Sequence, residues 1–153
     1  MTREPIPTWF FVLVVVRRGN RFLLVHEKKH GQLWYFPAGR VEPGEDLMSA
    51  AVRETLEETD IPIEVEGTVR VEHTPFPDGT TRLRVIFVAR PKDDTPPKSN
   101  GDEESLEAGW FTLEEIAYLP LRGDDVLQIF QHVADGGLVV PLSFIDKEGS
   151  PFR

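Results

Sequence analysis

The chain has 153 residues, 40% hydrophobic and 28% charged, with 26 acidic against 17 basic side chains and a formal net charge of −9. This length predicts one domain, residues 1–153, large enough for a proper core. The acidic balance argues against a nucleic-acid binder, whose phosphate contacts need a basic face, and the absence of cysteine excludes disulfides and thiol chemistry and points to a reducing cytoplasm.

No basic-then-apolar signal segment opens the sequence, and the apolar run Trp9 to Val16 is too short to span a membrane. Its valines predict instead a buried strand over Thr8 to Arg17. Gly19-Asn20 turns the chain into a second strand, Arg21 to Glu27. After a His30-Gly31-Gln32 loop, Leu33 to Phe36 is a short extended piece leading into Pro37-Ala38-Gly39. A helix follows from Leu47 to about Thr59, a stretch without Gly or Pro. Met48, Val52 and Leu56 recur every four residues with Ala51 and Thr55 beside them, which predicts one buried stripe. Glu64 to Thr74 and Thr81 to Arg90 read as a hairpin around Pro77-Asp78-Gly79-Thr80. Residues 91–104 are rich in Pro, Lys, Asp and Ser and predict a mobile loop. Leu106 to Phe111 is a further strand, and Thr112 with Glu115 three residues later predicts a capped short helix to Tyr118. Asp124 and Asp125 open a last helix to about Ala134, with Val126, Ile129, Phe130 and Val133 on its apolar face. The tail after Gly137 carries no clear pattern. Strands flanked by two helical layers suggest an α/β sandwich.

The chemistry concentrates in residues 39–61. Gly39, Glu45, Arg53, Glu54, Glu57 and Glu58 follow the spacing G-x5-E-x7-R-E-x-x-E-E. Glu54 and Glu58 are four apart, and Glu57 is three after Glu54, so three carboxylates converge near one helical turn. Like charges so placed repel. A hard divalent cation removes the penalty, because Mg²⁺ takes oxygen ligands and keeps waters for a phosphate substrate. Glu45 precedes the helix, where Pro43-Gly44 turns it back toward the cluster, and Arg53 is four before Glu57, spacing that suits an orienting ion pair. An acidic helix face alone is usually only solvated. The Gly, the Arg and the fourth Glu at fixed spacing favour the chemical reading.

This pattern closely resembles the Nudix box, the signature of hydrolases that cleave a nucleoside diphosphate linked to another group. Asp60 stands where the motif usually has Gly, and Thr55 where an aliphatic residue is usual. Asp tolerates the left-handed conformation better than most residues. WYFPAGRVEPGE, RVIFVARP, ESLEAGWF and LPLRGDDVLQIF further resemble, in order, segments of Nudix enzymes that hydrolyse oxidised nucleoside diphosphates such as 8-oxo-dGDP.

The resemblance implies a Nudix-type α/β/α sandwich with a mixed β-sheet, Mg²⁺ or Mn²⁺ as cofactor, and a small-molecule nucleotide as substrate. It implies Glu54, Glu57, Glu58 and Glu45 as metal residues, and Glu57, Glu58, Glu54 and Arg53 as the catalytic set. Either a box glutamate or a later loop acid, Glu103 or Glu104, activates the water. Gly39 and Arg40 stand at the site mouth as candidates for substrate contact, Arg40 by a bidentate grip on phosphate. Some oxidised-purine hydrolases read the base with neighbouring aspartates; Asp124 and Asp125 are candidates, against the simpler role of helix N-terminal acids. Arg17, Arg18, Arg21, Lys28 and Lys29 read mainly as solubilising charges. His26, His30, His73 and His132 show no metal-ligand spacing. Trp9, Phe10, Phe11, Trp34, Tyr35 and Phe36 read as core, with one of them the platform for any nucleobase. ADP-ribose, a dinucleoside polyphosphate or a nucleotide sugar is the alternative substrate, because specificity sits in loops such as 75–80 and 91–104. A non-catalytic nucleotide sensor is disfavoured by the intact acids, and capped RNA by the charge. Homodimers are frequent in the family, and no residue pattern here decides the matter.

Overall fold

In the computed structural model, which describes residues 3–152, the valine-rich run forms strand β1 (Thr8–Arg18) in the middle of a seven-stranded sheet. Strands β2 (Arg21–His26) and β3 (Trp34–Tyr35) lie to one side, β6 (Thr81–Pro91) and β5 (Ile63–Pro75) to the other. Short β4 (Ala38–Arg40) pairs antiparallel with β1, and β7 (Glu107–Thr112) pairs antiparallel with β2. The sheet is mixed because β1 runs parallel to β6, from Thr8 opposite Thr81 to Val16 opposite Ala89. The expected hairpin is present as the β5–β6 pair, bulged between Val65 and Gly67 and again between Thr68 and Arg70. Its turn is held by Asp78, which accepts from the Thr80 amide at 2.9 Å.

Alternation along the central strands builds two cores on one sheet. Val12, Val14, Val16, Val85, Phe87 and Ala89 face helix α1 (Leu47–Thr59) through Ala50 and Ala51. Leu13, Val15, Ile86 and Val88 face the opposite way, toward helices α2 (Leu113–Ile116) and α3 (Val126–Ala134). Ile116, Val126, Ile129, Phe130 and Val133 close that second core. The arrangement is the expected α/β/α sandwich. Thr112 caps α2 through a capping box with Glu115, as the spacing predicts. The tail also joins the fold: Val140 pairs with Thr68, and Leu142 and Ile145 pack against the α1-side core. Among the described residues no helix is long and apolar enough to cross a membrane.

Two sequence expectations need correction. The buried face of α1 is Ala50, Ala51, Thr55 and Thr59, so that of the expected stripe Ala51 and Thr55 are buried and Met48, Val52 and Leu56 are not. Met48 and Val52 are only partly buried, and Leu56 is 47% exposed. Leaving Leu56 half out forgoes about 1 kcal/mol of burial. The rotation that exposes it brings small residues against the sheet, permits close approach, and turns the glutamates toward β4. The second correction concerns the aromatic run: Trp9 is 50% and Phe10 41% exposed, while Tyr35 and Phe36 are buried as expected.

Helix α1 starts at Asp46, whose carboxylate accepts from the Ser49 amide at 2.8 Å, and ends at Asp60 in the left-handed conformation, φ 65°. The Asp60 amide bonds to the Leu56 carbonyl at 2.9 Å, a bond glycine can also make. Asp60→Gly is therefore expected to raise stability by about 1 kcal/mol, by relieving β-carbon strain. Urea denaturation with an unchanged slope but a higher midpoint is the expected reading; a lower midpoint would show that the Asp side chain contributes more than the strain takes away.

Candidate active site

The C-terminal half of α1 lies against β4, and this contact sets the glutamates. The Ala38 amide donates to Glu58 Oε1 at 2.8 Å. A β-carbon on Gly39 would overlap the Glu54 carboxylate, so glycine is required there for close approach rather than for an unusual φ. Residues 38 and 39 thus form a backbone cradle for two of the three box carboxylates carried by α1.

Arg53 is the hub of the rest. Its Nε and Nη2 donate to the two oxygens of Glu45 at 2.8 and 2.9 Å. Its Nη1 donates to Glu54 at 2.9 Å and more loosely to Glu57 at 3.3 Å. Nη2 also donates to the Arg40 carbonyl at 3.2 Å, tying the helix to the end of β4. The Arg53–Glu57 pair read from the i,i+4 spacing is present, but the bidentate Glu45 pair is the tighter one. Glu45, grouped by its position with the metal residues, has both oxygens engaged by Arg53.

The same arginine leaves its partners in opposite electrostatic states. Hydrogen bonds from Arg53 and the Glu42 amide hold the Glu45 carboxyl down at about 2. Burial pushes the Glu54 carboxyl up, outweighing the pull of Arg53. The side chains are covered almost equally, 15% and 14% exposed; what differs is that Glu54 is set deeper in the fold. Burial raises Glu58 well above the ordinary carboxylate range, against the Ala38 amide that favours its charged form. Repulsion from Glu54, Glu27 and Glu104 adds to that rise. A hard cation relieves all of these costs at once.

The donor set fits such an ion by its chemistry: Glu54, Glu57 and Glu58 offer only carboxylate oxygens within two helical turns. Among the described residues no three acidic, His or Cys side chains stand together as a ready-made metal cluster. The reason is visible in the ion pairs, since Arg53 holds Glu54 and Glu57 while the Ala38 amide holds Glu58.

Glu58 and Gly39 form one wall of a cleft of about 260 Å³. Phe11 and Tyr35 supply apolar lining, and Arg82, Arg84 and Arg122 supply positive charge. Glu103 and Glu104 sit at its edge, and Glu104 adds repulsion to both Glu54 and Glu58. Lys28 and Lys29 also line it, whereas Arg17, Arg18 and Arg21 do not. Asp125 stands at the start of α3 without a side-chain capping bond; its carboxylate lies 3.5 Å from Arg84 Nη2. Asp124 is exposed, and neither aspartate lines a wall of this cleft. Arg40 points elsewhere, its guanidinium carbon 4.8 Å from the Trp9 ring centroid. It lines a wider cavity of about 1110 Å³ with Trp9, Phe10, Glu45 and Met48. None of Glu54, Glu57 and Glu58 lines that larger space, and Glu58 alone of the three lines the smaller cleft.

Comparison with known proteins agrees with this geometry. The family model for the NUDIX domain matches residues 9–130. The chain belongs to the Nudix hydrolase family. It is similar to a mouse protein named 8-oxo-dGDP phosphatase NUDT18, 35% identical over 121 residues covering 77% of this chain and 36% of the relative. It is also similar to a NAD-capped RNA hydrolase NudC of Pectobacterium atrosepticum, 34% identical over 140 residues, 90% of this chain and 50% of the relative. The chain thus spans between about a third and a half of the length of these curated relatives. A solved Nudix hydrolase from Nitrosomonas europaea superposes with a TM-score of 0.76 at 29% identity, covering 95% of this chain and 99% of that one.

Two groups in this Nudix domain escaped the sequence reading. Arg82 and Arg84 alternate along β6 with Leu83 between them, a period-2 signal that puts both on one face of the strand. The other is Lys98, 4% exposed inside the segment read as mobile. That expectation fails: the Lys98 ammonium donates to the Glu57 carbonyl at 2.6 Å, to Asp102 at 2.7 Å and to Ser105 Oγ at 3.1 Å. Ser105 Oγ donates to the Glu58 carbonyl at 2.7 Å, and the Lys98 amide to the Thr59 carbonyl at 2.9 Å. Three successive carbonyls at the end of α1, which a helix leaves without internal partners, are thereby satisfied by one loop.

Proposed function

We propose that residues 1–153 act as one cytoplasmic hydrolase domain that uses Mg²⁺ or Mn²⁺ to cleave the diphosphate linkage of a nucleoside diphosphate derivative. The foremost substrate class is oxidised purine nucleotides such as 8-oxo-dGDP. The observation that carries the reading is the meeting, in a chain of net charge −9, of the box carboxylate Glu58 with Arg82, Arg84 and Arg122 around one cleft. Carboxylates there suit a divalent cation, and arginines suit phosphates. The name of the mouse relative, 8-oxo-dGDP phosphatase, points the same way. So does size: about 260 Å³ is slightly below the usual ligand-pocket range of about 300–1,000 Å³ and suits one nucleoside better than two.

In this reading Glu54, Glu57 and Glu58 would hold the cation, which would supply charge relief on the phosphate oxygens as water attacks phosphorus. Glu45 keeps Arg53 in place through two hydrogen bonds when Glu54 and Glu57 turn from it. Glu58, whose burial and acidic neighbours make it the most reluctant to ionise, or Glu104 at the cleft edge accepts the proton of the attacking water. Phe11 and Tyr35 offer faces for the base, and Asp125 is near enough to Arg84 to share in reading it.

The test is Mg²⁺-dependent product release from a panel of 8-oxo-dGDP, dGTP, ADP-ribose, a dinucleoside polyphosphate, a nucleotide sugar and NAD, with Glu57→Gln alongside. Turnover of 8-oxo-dGDP above the others, reduced at least about a hundredfold in the variant, is the expected result. Preferential turnover of ADP-ribose or a nucleotide sugar would retain the chemistry and replace the substrate. A folded protein that cleaves none of them would sink the reading.

A further inference from the structure

The cations around the cleft are not equivalent. Each nitrogen of the Arg84 guanidinium has a partner: Nε donates to Glu72 at 2.7 Å, Nη1 to the Tyr35 hydroxyl at 3.1 Å, and Nη2 lies 3.5 Å from Asp125. Arg122 donates to Glu27 at 3.0 Å and lies 4.6 Å over the Tyr35 ring. Lys28 donates to the Asp102 carbonyl at 3.2 Å, and Lys29 is exposed to solvent. Arg82 differs from all of these. It is half-buried, its Nε is buried without a hydrogen-bond acceptor, and it forms no ion pair within 4.0 Å among the described residues. Its one directed contact is with the face of Phe11, 4.5 Å from guanidinium carbon to ring centroid.

We infer that Arg82 is the residue that grips the phosphate of the bound nucleotide. The inference rests on the proposed nucleotide chemistry and names the group that recognises its anionic part. A guanidinium carries five donors and never gives up its charge. A folded chain rarely leaves such a group half-buried and unpaired, because the desolvation is uncompensated. Glu72 is committed to Arg84 and Arg70, Glu27 to Arg122 and Glu58 to the Ala38 amide; Glu103 and Glu104 line the same cleft, and among the described residues neither pairs with Arg82. The Phe11 ring fixes the plane of the fork without neutralising it. A phosphate presents two oxygens at the spacing this fork matches. Strand pairing fixes the position of the fork, with Arg82 opposite Trp9 and Arg84 opposite Phe11.

The experiment is titration calorimetry of the full chain with Mg²⁺, comparing the α,β-methylene analogues of ADP and GDP with adenosine and guanosine. Arg82→Gln is expected to weaken the analogues by about tenfold to a hundredfold and leave the nucleosides within about twofold. Arg82→Lys, which keeps a point charge without the fork, should recover part of the loss. Equal loss for analogue and nucleoside would overturn the inference and make Arg82 part of a base platform with Phe11. No loss for either would overturn it too, and the nucleotide reading would stand. Failure of the parent protein to bind any of the four probes would strike the nucleotide reading itself, and the inference with it.

Discussion

Glu58→Gln is expected to abolish the reaction while leaving the fold as stable as before, or more so. Glutamine keeps an oxygen that can accept the Ala38 amide, so the 2.8 Å cradle contact survives. It loses the charge that burial and three acidic neighbours disfavour. The expected fall in kcat is about 10²–10⁴-fold on whichever nucleotide of the panel turns over. The stability effect has a definite pH profile. The folded pKa of Glu58 lies above its ordinary value of 4.5, so its favourable contribution is complete below that value. The contribution is lost as pH rises through the raised folded pKa. The variant escapes that loss: its melting temperature should match the parent near pH 4 and exceed it at pH 7 and above. Glu45 works in the other direction. Its carboxyl is held at about 2, so its stabilising pair with Arg53 is present above the ordinary carboxylate range and fades as pH falls toward 2. Melts of both proteins across pH 4–8 in chelator settle the matter. A variant that melts lower than the parent at pH 7, or that keeps its activity, is the outcome at odds with this account.

Lys98→Met is expected to destabilise the protein by about 3 kcal/mol, because it leaves more than one acceptor at the helix end without its donor. For a chain of this size that corresponds to a fall of about 6–12 °C in melting temperature. Methionine roughly fills the space but donates nothing, leaving the Glu57 carbonyl and Ser105 hydroxyl short of the bonds seen at 2.6 and 3.1 Å. Asp102→Asn should be milder. Its side chain is 49% exposed, so water can replace what is lost, and its Oδ1 contacts with the Glu104 and Ser105 amides can persist. Differential scanning calorimetry of both variants against the parent makes the comparison; a Lys98→Met melt within about a degree of the parent would show that the loop adds nothing to the helix end.

The parts of this molecule legible in the sequence are those whose cause is local. The Thr112–Glu115 capping box, the Asp78 turn and the left-handed Asp60 each follow from residues within a few positions of one another. The placing of Glu54, Glu57 and Glu58 within two turns of one helix follows from helical periodicity alone, but their side chains are drawn apart by Arg53 and the Ala38 amide. Where the cause is a distant partner, no local pattern carries a comparable signal. Leu56 turns outward because the sheet takes Ala50, Ala51, Thr55 and Thr59, which periodicity could not rank above a longer apolar stripe. Residues 91–104 look mobile by composition, yet Lys98 is fixed by carbonyls about forty positions earlier in the chain. Glu45 and Arg40 stand at site positions by spacing, but turn geometry delivers one to Arg53 and the other to Trp9. Arg82 and Arg84 were visible only as alternating charges on a strand; the register with β1 brings them to the cleft.

The loop that binds the last three carbonyls of α1 also receives the Ala108 amide on the Lys98 carbonyl at 2.9 Å. Residues 98–108 and the end of the helix are therefore expected to open as one cooperative unit rather than fray separately. Amide protons of Lys98, Asp102, Ser105 and Ala108, each hydrogen-bonded within this assembly, should share a single opening free energy with that of Asp60. The edge of the cleft and the carboxylate-bearing helix then have one mechanical fate: motion that admits a bulkier ligand past residues 103 and 104 also loosens the backbone on which Glu57 and Glu58 are mounted. Breadth of substrate choice and accuracy of the catalytic arrangement are opposed by the same few hydrogen bonds.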